Sequence, residues 1–283
     1  NVAYGLLTAE YGAPAIDLAF SLEQNNTERR ERTTRFVEQA KWQVNDSQKE
    51  QSVLCVFGEE WTTGIVGLIA SHLVQEFYKP ALALARRGDE MTGSGRSIEG
   101  FHLMDALRAI DPTLLGKFGG HPMACGFTLS SPDKMKAFAE AMNEQYLIQT
   151  AGKPLVPRLS IESELTLEEC SWELFDTLQA CAPFGQQNAR PKYLLRGLTI
   201  LEIQTMGKEH SHVRLLVKGG SHIARKAVGW SFADAEKKPA LAALCSTLRN
   251  GDMIDVVASL ESNEWNGNRE LQLNMIDIRP YEA

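Results

Sequence analysis

Residues 116–130 read GKFGGHPMACGFTLS, and what this stretch becomes decides the fold around it. Pro122 suits the first position of a helical turn, Gly126 suits the residue just past its end, and His121 then stands as the cap. The spacing predicts one short helical turn followed by a strand over 126–130. Gly119 and Gly120 carry no Cβ, so a ligand can lie against their backbone. Free N–H groups at a helix start attract anions, and an imidazole adds a donor. Two readings of His121 stay open at this point: a capping residue in a turn, or a contact to a phosphate.

Upstream, TGSGRSIEGF (92–101) sets Arg96 between Gly95 and Ser97, with Gly93 and Ser94 beside them. A guanidinium fork matches phosphate oxygens, and serine hydroxyls donate to the same anion. The competing reading is a Ser/Gly-rich surface loop with a solvated arginine. Both stretches adjoin one predicted layer. SVLCVF (52–57) and PALALA (80–85) read as strands; GIVGLIASHLVQEFY (64–78), FHLMDALRAI (101–110) and SPDKMKAFAEAMNEQYL (131–147) read as helices. Strands alternating with helices predict a mixed α/β sheet. Gly64 and Gly67 read as points of close helix–sheet packing, and His72 and His102 as ordinary helix residues. Ahead of this layer, residues 13–44 carry helical spacing around the charged run NNTERRERTT. They predict a long, partly exposed helix or helix pair, suited to connecting two bodies.

Residues 151–158, AGKPLVPR, have linker chemistry. After LSIESEL and a helix near 166–180, strands are predicted at about 193–204, 212–218 and 223–231. A helix at 234–249 and strands at 253–260 and 270–279 follow, the last two joined by an Asn266-Gly267 hairpin signal. Three strands, a helix and two strands is the order of an OB-fold barrel. The expected parts are therefore a connecting helical segment (1–50), a phosphate-gripping α/β domain (51–150) and an OB barrel (151–283). Between residues 190 and 226 the barrel carries Arg190, Lys192, Arg196, Lys208, Arg214, Lys218, Arg225 and Lys226 against only Glu202 and Glu209. With Tyr193, Trp230 and Phe232 interleaved, this suits a single-stranded nucleic acid. The alternative is solvated lysines over core aromatics.

Composition bounds the function. The 283 residues carry a formal net charge of -7, 43% hydrophobic and 23% charged residues, which excludes a uniformly basic nucleic-acid binder but not a local basic face. No apolar run is long enough to cross a membrane. Five scattered cysteines without a C-x-x-C pair read as reduced thiols of a cytosolic protein. The chain opens on Asn and mid-pattern, as a fragment would. Metal-dependent phosphodiesterases need clustered Asp and His, and the sequence has no D-x-D, no paired histidines beside an aspartate, no H-E-x-x-H, no P-loop and no G-x-S-x-G. No residue of this chain is put forward as a metal ligand.

Taken together, GSGRS followed by GKFGGHPMACGFTL resembles the DHHA1 substrate-binding domain of the DHH phosphoesterases. GIVGLIASHLVQEFYKPALAL, APFGQQNARPKYLLRGL and GNRELQLNMIDIRP extend the resemblance to the RecJ-like exonucleases over nearly the whole chain. Two places depart from the family pattern: NVAYGLL has Gly5-Leu6 where an arginine is expected, and Thr62 stands where many relatives have histidine. The resemblance implies 5′→3′ digestion of single-stranded DNA in recombination and repair, with Mn²⁺ or Mg²⁺ held by a DHH domain that this chain lacks. It implies that Ser94, Arg96 and Ser97 grip DNA phosphates, while Gly119, Gly120 and His121 face the scissile phosphate, His121 stabilising developing charge. Gly95 would allow close approach, and Lys192, Arg196, Arg214, Lys218, Arg225 and Lys226 would track the strand on the barrel. The chain alone is expected to bind and not to cleave, as a monomer in the bacterial cytoplasm, with single-strand-binding protein as a candidate partner. Two other readings stand: a related hydrolase of short oligoribonucleotides or cyclic dinucleotides, and a non-catalytic single-strand-binding or replisome-interaction module.

Overall fold

Ala13–Gln43 winds into one unbroken helix (α2), preceded by the short helix α1 (Val2–Thr8), so the helix-or-pair alternative resolves as a single rod. Pro14 sits in its first turn, and only Phe36, Val37 and Ala40 near its far end are buried. The charged middle is solvated. This computed structural model describes residues 2–88, 90–265 and 267–282, which fall into two units, Asn1–Pro157 and Arg158–Ala283.

The first unit is built on a five-stranded sheet. Its elements are β1 (Leu54–Gly58), α3 (Thr63–Phe77), β2 (Ala81–Arg87), β3 (Glu90–Arg96), α4 (Leu103–Ala109), β4 (Leu115–His121), β5 (Ala124–Leu129) and α5 (Met135–Thr150). The order across the sheet is β1-β2-β3-β5-β4; β1 and β2 are parallel and the remaining pairs antiparallel. Leu54, Val56, Ala81, Ala83 and Ala85 pack on α2 and α3, while Cys55, Leu82, Leu84, Phe127 and Leu129 pack on α4 and α5. Period-2 alternation thus feeds two cores from one sheet.

Two expectations are corrected. Residues 116–130 form no helical turn: they are a β-hairpin, β4 and β5, turning at Pro122–Met123. Pro122, which has no N–H, occupies the turn where no ladder donor is needed, and Gly126 is a mid-strand residue rather than a helix stop. TGSGR is likewise not a loop but most of β3, hydrogen-bonded on both sides. Its glycines are core positions. A Cβ at Gly93 would stand 2.4 Å from the Phe127 ring, and one at Gly95 would stand 2.7 Å from Cys125 Sγ.

The β1 edge is closed by side-chain amides. Gln43 donates to the Phe57 carbonyl (2.8 Å) and accepts from its N–H (3.1 Å); Gln48 does the same for Cys55. Asn143 of α5 accepts from Ser52 and Val53 N–H, each at 2.9 Å. Three amides therefore stand in for a missing sixth strand.

The second unit follows the predicted order. It comprises β6 (Ser163–Glu164), α6 (Trp172–Ala180), β7 (Tyr193–Met206), β8 (His212–Lys218), β9 (Ala224–Gly229), α7 (Pro239–Thr247), β10 (Met253–Trp265) and β11 (Asn268–Pro280). Strands run β7-β8-β9-β11-β10, and β10 pairs back onto β7, so the five-stranded barrel closes. Val213, Leu215, Val217, Ile254, Val256 and Leu273 fill it. In the hairpin signal between β10 and β11, Asn266 lies outside the described residues, while Gly267 takes φ +80°. No described helix is long and apolar enough to cross a membrane. All five cysteines are free; Cys55, Cys125 and Cys170 are buried, Cys245 is half-buried and Cys181 exposed.

Candidate nucleic-acid interface

Sheet register brings the two candidate stretches together. On β5, Ala124 stands opposite Arg96 of β3 on one side and His121 of β4 on the other; Gly126 stands opposite Ser94 and Gly119. Residues directly opposite one another project to the same face of a sheet. Ser94, Arg96 and His121 therefore share a face, with Gly119, Ala124 and Gly126 as its floor. It is also the face of α3: a Cβ at Gly67 would stand 3.0 Å from the Arg96 guanidinium and 3.4 Å from Ser94 Oγ. Gly67 thus makes room for Arg96, in keeping with the expected close packing, whereas Gly64 faces open space.

The floor is open above. A Cβ at Gly119 or Gly126 would meet nothing within 4 Å, so the missing side chains serve no neighbour. Gly120 differs: φ is +147° and a Cβ would stand 2.3 Å from the Ala124 carbonyl oxygen, so glycine there is demanded by the backbone. Arg96 donates to the Gly95 carbonyl at 2.8 Å, and among the described residues no carboxylate lies within ion-pair distance of it. Beneath it, burial pushes the Cys125 thiol up to about 11 despite the Gly95 hydrogen bond and the Arg96 charge, so no thiolate neutralises the arginine. A half-buried, unpaired guanidinium beside a bare backbone floor is suited to an anion.

Two named residues play other parts. Ser97 is buried and its hydroxyl donates to the Phe101 carbonyl at 2.6 Å, so it offers no donor to a ligand. Instead the loop after β3 holds the hairpin tip: Ser97 N–H donates to Met123 O (2.9 Å) and Leu103 N–H to Pro122 O (3.0 Å). Gly95 is buried beneath Cys125 and Leu82 and gives no access. His102 caps α4 by accepting from Asp105 N–H. Gly126 was missed as floor because it was read as a helix stop; strand register is the signal that finds it.

On the barrel, alternation splits the basic stripe. His212, Arg214, Leu216 and Lys218 point outward along β8, and Lys226 of β9 stands opposite Leu216 on that face. Arg225 stands opposite the core residue Val217, donates to the Leu271 carbonyl, and leaves a buried Nε without an acceptor. Arg196 is held by Glu164 (3.0 Å) and by Asp255 (3.8 Å), and Lys226 by Glu270 (2.7 Å). Lys192 precedes β7, half-buried. Arg214 bonds Gln204, and neither it nor Lys218 has a carboxylate partner among the described residues. Tyr193 and Phe232 are core residues, whereas Trp230 is exposed.

Family models match both units: a DHHA1 domain over residues 50–147 and a RecJ OB domain over residues 161–277. The chain carries a DHHA1 domain followed by a RecJ OB domain. Curated RecJ relatives include the single-stranded-DNA-specific exonucleases of Escherichia coli K12, 32% identical over 80% of this chain, and of Bacillus subtilis 168, 27% identical over 97%. The chain spans 38% and 34% of those two proteins. A RecJ crystal structure from Thermus thermophilus, in complex with Mg²⁺, has the same fold over the whole chain: TM-score 0.76, 22% identity, 41% of that protein covered. A second RecJ structure from that organism contains Mn²⁺. Among the described residues here, no three His, Cys, Asp or Glu side chains gather to hold a metal ion. The described residues do not fit either metal.

Proposed function

We propose that the chain is the substrate-gripping part of a RecJ-like 5′→3′ exonuclease of single-stranded DNA, working in recombination and repair in the bacterial cytoplasm. The observation that carries this reading is the pairing of Arg96 and His121 across Ala124, above a glycine floor that no neighbouring side chain fills. Arg96 would take two oxygens of a DNA phosphate, and Ser94, whose hydroxyl makes only a long 3.4 Å hydrogen bond to the Cys125 carbonyl, would turn to donate beside it. Gly119 and Gly126 would let the sugar–phosphate backbone lie against the sheet. His121, at the open end of β4, would donate to the phosphoryl oxygen on which charge develops. Arg214, Lys218 and Lys226 on the outer face of the barrel would meet further phosphates. Metal chemistry belongs to residues other than those described here.

Fluorescence anisotropy tests this directly. The chain is titrated with a 5′-phosphorylated single strand and with a blunt duplex of the same sequence, across a salt series. Tighter, salt-sensitive binding of the single strand supports the reading. Equal or absent binding overturns it for this chain.

A further inference from the structure

Trp230 is 46% exposed, although it directly follows β9 and its neighbours Gly229 and Phe232 are buried. An exposed indole is unremarkable if it swings freely. This one has a ring contact on one side and a backbone fixed on both sides of its own residue. Its ring meets the His212 imidazole edge-on, with centroids 5.0 Å apart and planes at 77°. His212 is itself fixed: its Nδ1 accepts from Ser231 N–H at 3.0 Å, and its ring fills space where a Cβ on Gly207 would stand 2.7 Å from Cδ2. Ser231 takes φ +58°, turning the chain immediately after Trp230. Lys238 Nζ donates to the Trp230 carbonyl at 3.0 Å and lies 4.5 Å from the centre of the Phe232 ring. Burial lowers the affinity of that half-buried amine for its proton.

We infer that Trp230, propped by His212, is a stacking shelf for one unpaired base of a single-stranded nucleic acid. The inference rests on the single-strand reading proposed above and adds to it the residue that would sense a base rather than a phosphate. The T-shaped contact with His212 supports the indole from one side, and at 46% exposure the residue keeps surface open to a planar partner. Along the same outward row of β8, Arg214 and Lys218 follow His212, so a backbone crossing them would carry its bases past the indole. Glu202 of β7 and Glu270 also reach this face, Glu270 already paired with Lys226. The row is therefore only mildly basic, and a strand lying there would depend on stacking as well as charge. A duplex has no free base face to offer, so such a shelf selects single strands.

Binding of an oligothymidylate and of an equally long, fully abasic oligomer is measured for the intact chain, Trp230→Ala and Trp230→Phe, with circular dichroism melts to check folding. Stacking on one aromatic corresponds to about a five- to 150-fold loss. Trp230→Ala is expected to lose that factor on oligothymidylate and nothing on the abasic oligomer, while Trp230→Phe, which keeps a ring, retains most of the affinity. Equal losses on both oligomers, or none on either, would overturn the shelf while leaving single-strand binding standing. If the intact chain binds neither oligomer, the parent reading fails and the shelf with it.

Discussion

Arg96 and His121 flank Ala124 from opposite sides: one lies on β3, the other on β4, and both stand in register with the same residue of β5. The two are 25 positions apart in sequence, and only the hairpin β4–β5 brings them to one face. That row, not a helix terminus, is where the proposed anion site of the first unit lies.

Removing the guanidinium tests the row. Arg96→Ala is expected to weaken binding of a single strand and to lower the slope of log affinity against log salt by about one, since one phosphate contact goes. Anisotropy titrations at several salt concentrations measure this. An unchanged slope at unchanged affinity would remove Arg96 from the interface.

The glycines separate a role toward a ligand from a role in the fold. Gly119→Ala and Gly126→Ala put a methyl group into open space, so their unfolding midpoints should stay near that of the parent chain, within ~0.5 kcal/mol. Single-strand affinity should fall in both. Gly120→Ala should destabilise by ~1–3 kcal/mol, because the new Cβ meets the Ala124 carbonyl at a φ that L-residues avoid. Thermal melts run beside the binding assay distinguish these patterns.

Gln48 closes the sheet edge through the backbone of buried Cys55. Gln48→Ala leaves those groups without a partner and should cost ~1–3 kcal/mol of stability in urea unfolding, with single-strand affinity unchanged while the chain is folded. A loss of binding at full folding would mean the edge and the interface are coupled.

Burial raises the thiol pKa values from 9.0 to about 12 for Cys55 and to about 11 for Cys125, Cys170 and Cys245. The unfolded chain loses these protons first. Their contribution to stability is therefore fully present below pH 9 and is lost as pH rises through 11 to 12. Urea midpoints should fall from pH 9 upward, and less steeply in Cys55→Ala. At about pH 8 the native chain should alkylate quickly at one thiol only, the exposed Cys181, and Cys181→Ser should abolish that phase.

Much of the fold was legible because long periodic segments announce themselves. The rod over 13–43, the helices α3 and α5, and the strand order of the barrel all follow from spacing. β3 and β4 were hidden because Gly93, Gly95, Gly119 and Gly120 read as turn chemistry. In the structure Gly93 and Gly95 are flat core positions filled by Phe127 and Cys125 from the next strand. The candidate residues Arg96 and His121 were visible, but their common row depends on register that no local pattern carries. On the barrel, Arg225 and Lys226 are neighbours in sequence and therefore on opposite faces. Arg196 meets Glu164 and Asp255, and Lys226 meets Glu270, partners too distant in sequence for a local charge count to pair them.

The two rims of the first sheet are unlike. Gln43, Gln48 and Asn143 occupy the hydrogen-bonding groups of β1, whereas β4 at the far rim is exposed from Gly116 to His121 and pairs only with β5 among the described residues. Strand-to-strand association of this unit with another chain is thereby steered to one side, and that side ends in His121. A chain docked there would lie along the strand that supplies both His121 and Gly119. Self-association and ligand capture would then compete for one rim, so oligomer formed at high concentration would be lost as ligand is added.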